Sequence, residues 1–379
     1  MKVSLENIHR IVFKFGTNVL RNEDGYISLA RIYSFVEEIA KLHKAGKEIL
    51  IVTSGAVGLG AKKLGVKDFD DIGIKQACAA VGQCRLMSVY EEGFAKYSIN
   101  TAQILLTEDD FSYRRRYLNL NNTLNKILEY KGIPVINEND TVSTDELEDV
   151  CDAVTKVCCF SDNDKLSALV ASELEADLLV ILSDIDGLYD SNPKTNPDAK
   201  FIPVVEVVDK EIEALGSDPS EGGRGGMKTK LEAAKVVTRS GCMMVIANGK
   251  KPNVISEIFK SGCGTIFLPS ESLSGKKRWI GYATNIKGKI IINEGAKKAI
   301  VEQESSLLPI GVTQIISDFK RGDVVSIVDA EGNEIARGMI NYNCKDCKKI
   351  MGEHSDRILE ILGYKNYDAI ITRDNMVIL

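Results

Sequence analysis

Two short stretches hold lysines in settings where a lysine needs an anion. In "VFKFG", Lys14 stands inside an apolar run of strand length. An unpaired ammonium is expensive to bury, so this side chain is expected to reach past the strand's end toward an anion, with Gly16 allowing close backbone approach. In "GGRGGMKTK", residues 222–230, the phosphate-loop pattern G-x-x-x-x-G-K-[ST] is met at Lys228 and Thr229, but Met227 stands where the second glycine belongs. A phosphate loop must also follow a buried strand directly, and this run follows polar residues and a proline. What comes next has helical spacing: in "MKTKLEAAKVVTRSG", Met227, Leu231, Ala234 and Val237 share one side and Gly241 ends it. Gly222, Gly223, Gly225 and Gly226 thus feed a helix N-terminus whose free N–H groups favour an anion, with Lys228 and Lys230 in the first turn. Taken alone, the same lysines also read as solvated side chains with no ligand.

Other stretches add to the inventory. "TSGAVGLG", with Ser54 and Gly55, is a second Gly-rich strand-to-helix turn suited to an anionic group. Asp140 in "NEND" and Asp162, Asn163 and Asp164 in "SDNDKLSALVA" supply carboxylates and an amide, although Asp162 or Asn163 by itself reads as a helix cap. Ser183 and Asp184 open "SDIDGLY" at another strand end. Two lysines, two glycine turns and this polar set point to phosphoryl transfer, which consists mostly of positioning and charge neutralisation and which lysines, helix N-termini and Mg²⁺ can supply. No Ser-His-Asp or Cys-His arrangement competes with it. No catalytic base is evident either, which favours an acceptor already ionised at pH 7, such as a carboxylate.

These residues need a scaffold that brings them together. Apolar runs at 10–16, 48–55, 101–106, 133–140, 177–184 and 242–249 are rich in Val, Ile and Leu without polar alternation, the pattern of strands covered on both faces. Amphipathic segments separate them; in "LARIYSFVEEIAKLHKAG", Ile32, Phe35, Val36 and Ile39 share a face, Ser28 can cap the start and Gly46 can end it. The alternation predicts an α/β fold with an open, mostly parallel sheet sandwiched between helix layers, and such sheets bind ligands outside the carboxyl ends of their strands. Nearly all the polar groups named above lie at those ends. After about residue 270 comes "PSESLSGKKRW", a polar linker, and then a small β-rich domain with strands in "GKIIIN", "DVVSIVD", "EIARGMI", "DAIITR" and "MVIL", a hairpin turn at "DAEGNE", and helices near 295–301 and 345–362.

Composition bounds the rest. The 379 residues suffice for two domains, and a net charge of −6 disfavours a polyanion-binding surface over the whole molecule. No apolar run approaches a membrane span, which makes the cytoplasm the expected location. Nine cysteines disfavour a disulfide framework, and Cys78, Cys84, Cys242 and Cys263 are expected to be buried thiols. Cys344 and Cys347 form one C-x-x-C, but no second pair follows, and His9, His43 and His354 are dispersed, so no metal site of the protein's own is expected.

The stretches "KFGTNVL", "IVTSGAVGLG", "AAVGQCRLM", "PVINEND", "SDNDKLSAL", "DGLYDSNP", "GGMKTKLEAA", "KRWI", "GAKKAIVEQESSLLPIGV" and "ILGY", spread over almost the whole chain, resemble the amino-acid kinase superfamily and, within it, the glutamate 5-kinases; the second domain resembles a PUA domain. The resemblance implies a kinase domain over 1–270, a linker over 271–284 and a PUA-like domain over 285–379. It implies ATP-dependent phosphorylation of L-glutamate, the first step of proline biosynthesis, with ATP and Mg²⁺. By position, Lys14 and Lys230 match the pair that neutralises the transferring phosphoryl group, and Asp164 the organiser that holds them. Ser54 and Gly55 in the second glycine turn, Asp140 and Asn163, with Asp162 beside them, match the glutamate site. Lys14, Ser183, Asp184, Gly225, Gly226, Met227, Lys228, Thr229 and Lys230 match the ATP site. The family further implies feedback by proline, a product passed to a glutamyl-phosphate reductase, and homo-oligomers.

Two departures stand out. Ser161 occupies the place of a usual glycine, and the run from 141 to 160 is longer and acidic, which reads as a solvent-facing lid or subunit contact. Two other readings remain: a sister kinase with acetylglutamate, aspartate or UMP as acceptor, and an RNA-binding regulator with a retired kinase domain. For the latter, residues 275–379 hold 16 Lys and Arg against 14 Asp and Glu, a net of +2 that does not demand nucleic acid.

Overall fold

Uninterrupted Val, Ile and Leu runs bury both faces of a strand, and they form the centre of the first part of the chain. The computed structural model describes residues 5, 7–22, 26–66, 71–143, 163–193, 195–216, 226–270 and 274–379. The chain divides into two compact units, residues 1–110 with 114–272, and residues 111–113 with 273–379. Up to residue 270 it runs β1 (Arg10–Phe15), α1 (Thr17–Leu20), α2 (Leu29–Lys44), β2 (Glu48–Val52), α3 (Ala56–Leu64), α4 (Ile72–Ala95), β3 (Thr101–Leu106), α5 (Glu108–Ser112), α6 (Arg114–Glu129), β4 (Ile133–Glu138), α7 (Asn163–Glu173), β5 (Leu178–Ser183), β6 (Leu188–Tyr189), β7 (Phe201–Ile202), β8 (Val204–Val205), α8 (Lys210–Ala214), α9 (Met227–Thr238), β9 (Met243–Asn248), α10 (Val254–Ser261) and β10 (Thr265–Phe267).

Eight strands form one sheet in the order β3-β4-β2-β1-β5-β9-β10-β8. Every pairing is parallel except that of β9 with β10, so the expectation of a mostly parallel sheet holds. β1 sits where the order reverses: the chain first builds outward through β2 and β4 and later through β5 and β9. Such a switch point leaves a crevice at the carboxyl ends of the strands.

Strand alternation decides which way Lys14 points. Ile11, Phe13 and Phe15 enter a core with Ile32, Phe35 and Ile39 of α2, Leu86 and Val89 of α4, and Ile255 and Ile258 of α10. The rings of Phe15 and Phe35 stack at 4.8 Å. Lys14, in register between Val52 and Ile181, is one residue off that alternation and faces the opposite layer, where α7 packs against β1 and α9.

Glycine sets the approach of α3 to α4. A Cβ on Gly60 would lie 1.7 Å from the Cys78 carbonyl oxygen, and one on Gly82 would lie 1.7 Å from that of Ala56. The two helices therefore meet backbone to backbone, fixing the first turn of α3 and the Ser54–Gly55 turn before it.

The second unit contains α11 (Gly275–Arg278), which continues into a single π turn, then β11 (Gly288–Ile292), α12 (Glu294–Gln303), β12 (Val312–Ile316), β13 (Val324–Val328), β14 (Glu334–Met339), α13 (Cys344–Ile350), α14 (Ile358–Leu362) and β15 (Met376–Ile378). Its sheet has the order β12-β11-β13-β14-β15 over a core that includes Ile290, Ile327, Ile350 and Met376. The hairpin expected at "DAEGNE" joins β13 to β14, with the Asp329 N–H donating to Asn333 O at 3.0 Å.

Two expectations need correction. "DAIITR" is no strand: the Ile370 N–H donates to Leu307 O while Ile370 O accepts from the Asn341 N–H, so its backbone is shared between two separate segments, with only an isolated bridge at Ile371. β12, in "GVTQII", takes a place in the sheet that the sequence reading did not give it. Among the cysteines, Cys78 and Cys242 are buried, Cys263 is half-buried and Cys84 is exposed on the outer face of α4. Cys344 and Cys347 are buried and unbridged, their thiols donating to the carbonyls of Ser317 and Tyr342.

Replacing Gly82 by Ala is expected to lower the urea midpoint by an amount equivalent to at least about 1–3 kcal/mol, because the methyl group must push α3 off α4. An unchanged midpoint would show that the two helices can separate without loss.

Candidate active site

The fully buried carboxylate of Asp164, in the first turn of α7, is shared by two ammonium groups. Lys14 Nζ on β1 lies 2.6 Å from Asp164 Oδ1, and Lys230 Nζ on α9 lies 3.0 Å from Oδ2. All three side chains are at most 5% exposed. Burial alone would push the Asp164 carboxyl up; the two ammonium charges and the hydrogen bonds they donate outweigh it and hold the group well below the usual carboxylate range. Thr229 Oγ1 also lies 3.0 Å from Oδ2. Residues 14, 164 and 230, far apart in the chain, thus meet in one cluster at the carboxyl end of β1. The sequence reading expected Lys14 to reach out past the strand; the structure keeps it buried on Asp164, since a carboxylate within 3 Å offsets the desolvation that made exposure necessary.

Three helices of this unit begin on glycine. The caps of α1, α3 and α9 are Gly16, Gly55 and Gly226, and none provides a side-chain capping bond. By contrast, Ser28, Asp71 and Asp209 cap α2, α4 and α8 through their side chains. Gly55 has a left-handed φ of 102°, and a Cβ there would lie 2.8 Å from Ile27 Cδ1. Gly16 donates its N–H to Leu182 O at 3.2 Å, tying the ends of β1 and β5, and a Cβ there would come within 3.8 Å of Lys14 Nζ.

A second polar group lies at the ends of β2 and β4. Asn163 Nδ2 donates to Thr53 O and Ser54 Oγ, both at 2.9 Å. Because a backbone carbonyl fixes that orientation, Asn163 Oδ1 must face the other way, where it is buried with no hydrogen-bond partner among the described residues. Asp140 Oδ1, just past β4, is likewise buried and unpartnered among the described residues, and burial raises its pKa to about 6. Each is a buried acceptor that a donor would satisfy. Behind them, Asn137 Nδ2 donates to Gln83 Oε1 at 2.9 Å, and the buried Tyr90 hydroxyl lies 2.8 Å from Thr53 Oγ1. The sequence reading did not single out Gln83 or Tyr90. Both are on α4, and only the close approach of α4 to the sheet brings them here; the polar Gln83 in the otherwise small and apolar "AAVGQC" was the available signal.

On the other side of β1, Ser183 and Asn248 stand in register at the ends of β5 and β9. Ser183 is buried, with Oγ 3.3 Å from Asp184 Oδ1, while Asp184 itself is exposed. Gly226, Met227 and Thr229 are half-buried at the start of α9, and Lys228 is exposed there. Gly225, Asp162 and the acidic run from 144 to 160 lie outside the described residues. Among the described residues, no group of three or more His, Cys, Asp or Glu is placed to hold a metal ion. A cavity of about 380 Å³ at the opposite, amino end of β3, lined by Asn100, Thr101, Lys126 and Tyr130, includes none of the residues of this cleft.

Comparison with known proteins places the geometry. The amino acid kinase family matches residues 9–248 and the PUA domain matches residues 288–362. A glutamate 5-kinase of Thermoanaerobacter sp. is 46% identical over 374 residues, 98% of each chain, and one of Geobacter sulfurreducens is 44% identical over 379 residues, 99% of each chain. Among solved structures, a UMP kinase from Ureaplasma parvum aligns with 69% of this chain and 99% of its own at 20% identity, with a TM-score of 0.47. With a family model over the sheet that carries the cleft, and relatives matched nearly end to end, the chain belongs to the amino acid kinase family and, within it, groups with the glutamate 5-kinases.

Proposed function

We propose that this chain transfers the γ-phosphoryl group of ATP to the γ-carboxylate of L-glutamate, giving L-glutamyl 5-phosphate and ADP, the first step of proline biosynthesis. The observation that carries this reading is the buried Lys14–Asp164–Lys230 cluster at the sheet's switch point. A carboxylate oxygen attacks the γ-phosphorus, the bond from that phosphorus to the bridging oxygen of the β-phosphate breaks, and ADP leaves with the electron pair. The acceptor is already ionised at neutral pH, so no proton needs to be removed. Negative charge spreads over the transferred group, and the two ammonium groups with the uncapped N–H groups of α1, α3 and α9 are suited to stabilise it.

The two ends of the cleft fit the two substrates. Asp140 Oδ1 and Asn163 Oδ1 suit the α-ammonium of an amino acid, with Ser54 and Gly55 assigned to its carboxylates. Ser183, Asp184 and the run from Gly225 to Lys230 would receive the nucleotide, whose phosphates bring Mg²⁺ with them. No described helix is long and apolar enough to cross a membrane. Feedback by proline, transfer of the labile product to a reductase and a homo-oligomeric state belong to the same reading.

With ATP, Mg²⁺, L-glutamate and hydroxylamine, the protein is expected to form γ-glutamyl hydroxamate, and aspartate, acetylglutamate or UMP should not react. Turnover of one of those acceptors in place of glutamate would move the assignment to a sister enzyme. Lys14→Ala and Lys230→Ala are each expected to lower kcat by about 10³-fold or more with the far-UV circular dichroism retained; near-normal rates in either variant would remove its role in transfer.

Asp140 makes the acceptor site dependent on pH. Its carboxyl is raised to about 6, so it is protonated below that pH and cannot pair with an ammonium. The KM for glutamate should therefore rise as pH falls through about 6 and be flat above about 7. The sign for stability is opposite: a raised carboxyl favours the ligand-free fold below its unfolded pKa, and that benefit is lost as pH rises toward 6. Asp140→Asn should thus stabilise the ligand-free protein at pH 7.5 by on the order of 2–3 kcal/mol relative to pH 4 while abolishing the pH dependence of KM. A wild-type KM that is level from pH 5 to 8 would count against this role.

A further inference from the structure

The cluster contains a third donor that the reading above assigns only to the nucleotide. Thr229 Oγ1 lies 3.0 Å from Asp164 Oδ2, the oxygen that also faces Lys230, and 2.9 Å from Gly226 O at the cap of α9. A hydroxyl has one proton, so it can donate to only one of these acceptors at a time. Asp164 is ionised and wholly buried, and a charged acceptor attracts the proton more strongly than a neutral carbonyl does. If the proton turned to Gly226 instead, lone pairs on Thr229 and on Asp164 would face each other at 3.0 Å.

We propose that Thr229 is a positioning residue that acts through Asp164: its hydroxyl holds the carboxylate plane so that Oδ1 faces Lys14 and Oδ2 faces Lys230, and keeps Oδ2 in place while Lys230 also donates to the transferring phosphoryl group. The inference rests on the phosphoryl-transfer reading. Its physical basis is the cost of leaving a buried carboxylate oxygen without a donor, which is higher than for any neutral group. An ammonium has three N–H donors, so Lys230 can keep one on Oδ2 while another serves the phosphoryl oxygens, provided that Oδ2 is held in place. Thr229, one residue earlier on the same turn of α9, supplies Oδ2 with a second donor. The Gly226 carbonyl gives the hydroxyl a resting partner and links the setting of Asp164 to the glycine-capped start of α9.

The alternative is that the Thr229 hydroxyl acts by touching the nucleotide directly. Thr229→Val, Thr229→Ala and Thr229→Ser separate the two. Valine keeps the shape and removes the donor, alanine removes it without adding a methyl group should valine fail to fold, and serine keeps the donor. Steady-state ADP release and calorimetric binding of ADP and a non-hydrolysable ATP analogue are the readouts. Valine or alanine should lower kcat by about 10- to 100-fold, with the KM for glutamate and both nucleotide dissociation constants within about threefold of wild type, and serine should restore kcat to within about threefold. The proposal is overturned if valine and alanine retain more than half the wild-type kcat, if nucleotide affinity falls in step with kcat, or if serine is as poor as valine. Hydroxamate formation by the wild type tests the acceptor assignment separately; only the ratio of variant to wild type bears on Thr229.

Discussion

One buried carboxylate between two lysines fixes how β1, α7 and α9 pack. Burying three charged groups is costly, and a well-packed apolar trio at the same positions would commonly be as stable or more so. What that arrangement supplies is geometry. A carboxylate has two oxygens at a set separation, and with one lysine on each, Asp164 spaces the two ammonium groups without help from solvent. The strand alternation of β1 is part of the same constraint: the aromatic rings of Phe13 and Phe15 anchor one face so firmly that Lys14 has only the α7–α9 layer to enter.

The same division between stability and chemistry governs the helix starts. Ser28, Asp71 and Asp209 satisfy the first N–H groups of α2, α4 and α8 through their side chains, whereas α1, α3 and α9 begin on glycine, which has no side chain to cap with. Glycine in place of such a cap costs only on the order of a few tenths of a kcal/mol per helix. In return the donors point where an anion can use them, and the missing Cβ lets the backbone approach it. The glycines at α3 and α4 serve differently, removing side chains from a helix crossing so that Gln83 and Tyr90 reach the polar groups behind Ser54 and Asn137.

Much of this was legible in the sequence, and the boundary of legibility has a physical origin. The central strands could be read because burial on both faces leaves a pattern that depends on no partner: "DLLVILSD" can hardly be anything else. The lysines and glycine turns could be read because a cation inside a strand and glycines before a helix are locally anomalous. In the second unit this fails. "DAIITR" is as apolar as a strand, yet its backbone bonds are split between Leu307 and Asn341, and "GVTQII" is an edge strand whose exposed Thr313 and Gln314 dilute the signal. Cys84 was misjudged because the pattern of small and apolar residues on α4 does not reveal which side faces out. The bond from Thr229 to Asp164 spans 65 residues between two helices, and no local pattern encodes it.

The sheet also acts as a ruler. Along its carboxyl edge the order is Asp140 after β4, Ser54 after β2, Lys14 on β1, Ser183 on β5 and Asn248 on β9. Neighbouring strands lie about 4.8 Å apart, so the acceptor groups and the nucleotide groups each sit within about 10 Å of β1. In the reading proposed above, a small amino acid would span the first interval and a triphosphate the second, which would bring their reacting ends to the strand that carries Lys14. The signs of charge follow the same order, with acceptors for an ammonium at one end and cationic and N–H donors for phosphates in the middle. A substrate with a cationic head and an anionic tail is aligned by that gradient before any specific contact forms. Catalysis by such a site needs no proton relay, because the fold supplies the approach and the charge that an already ionised acceptor lacks.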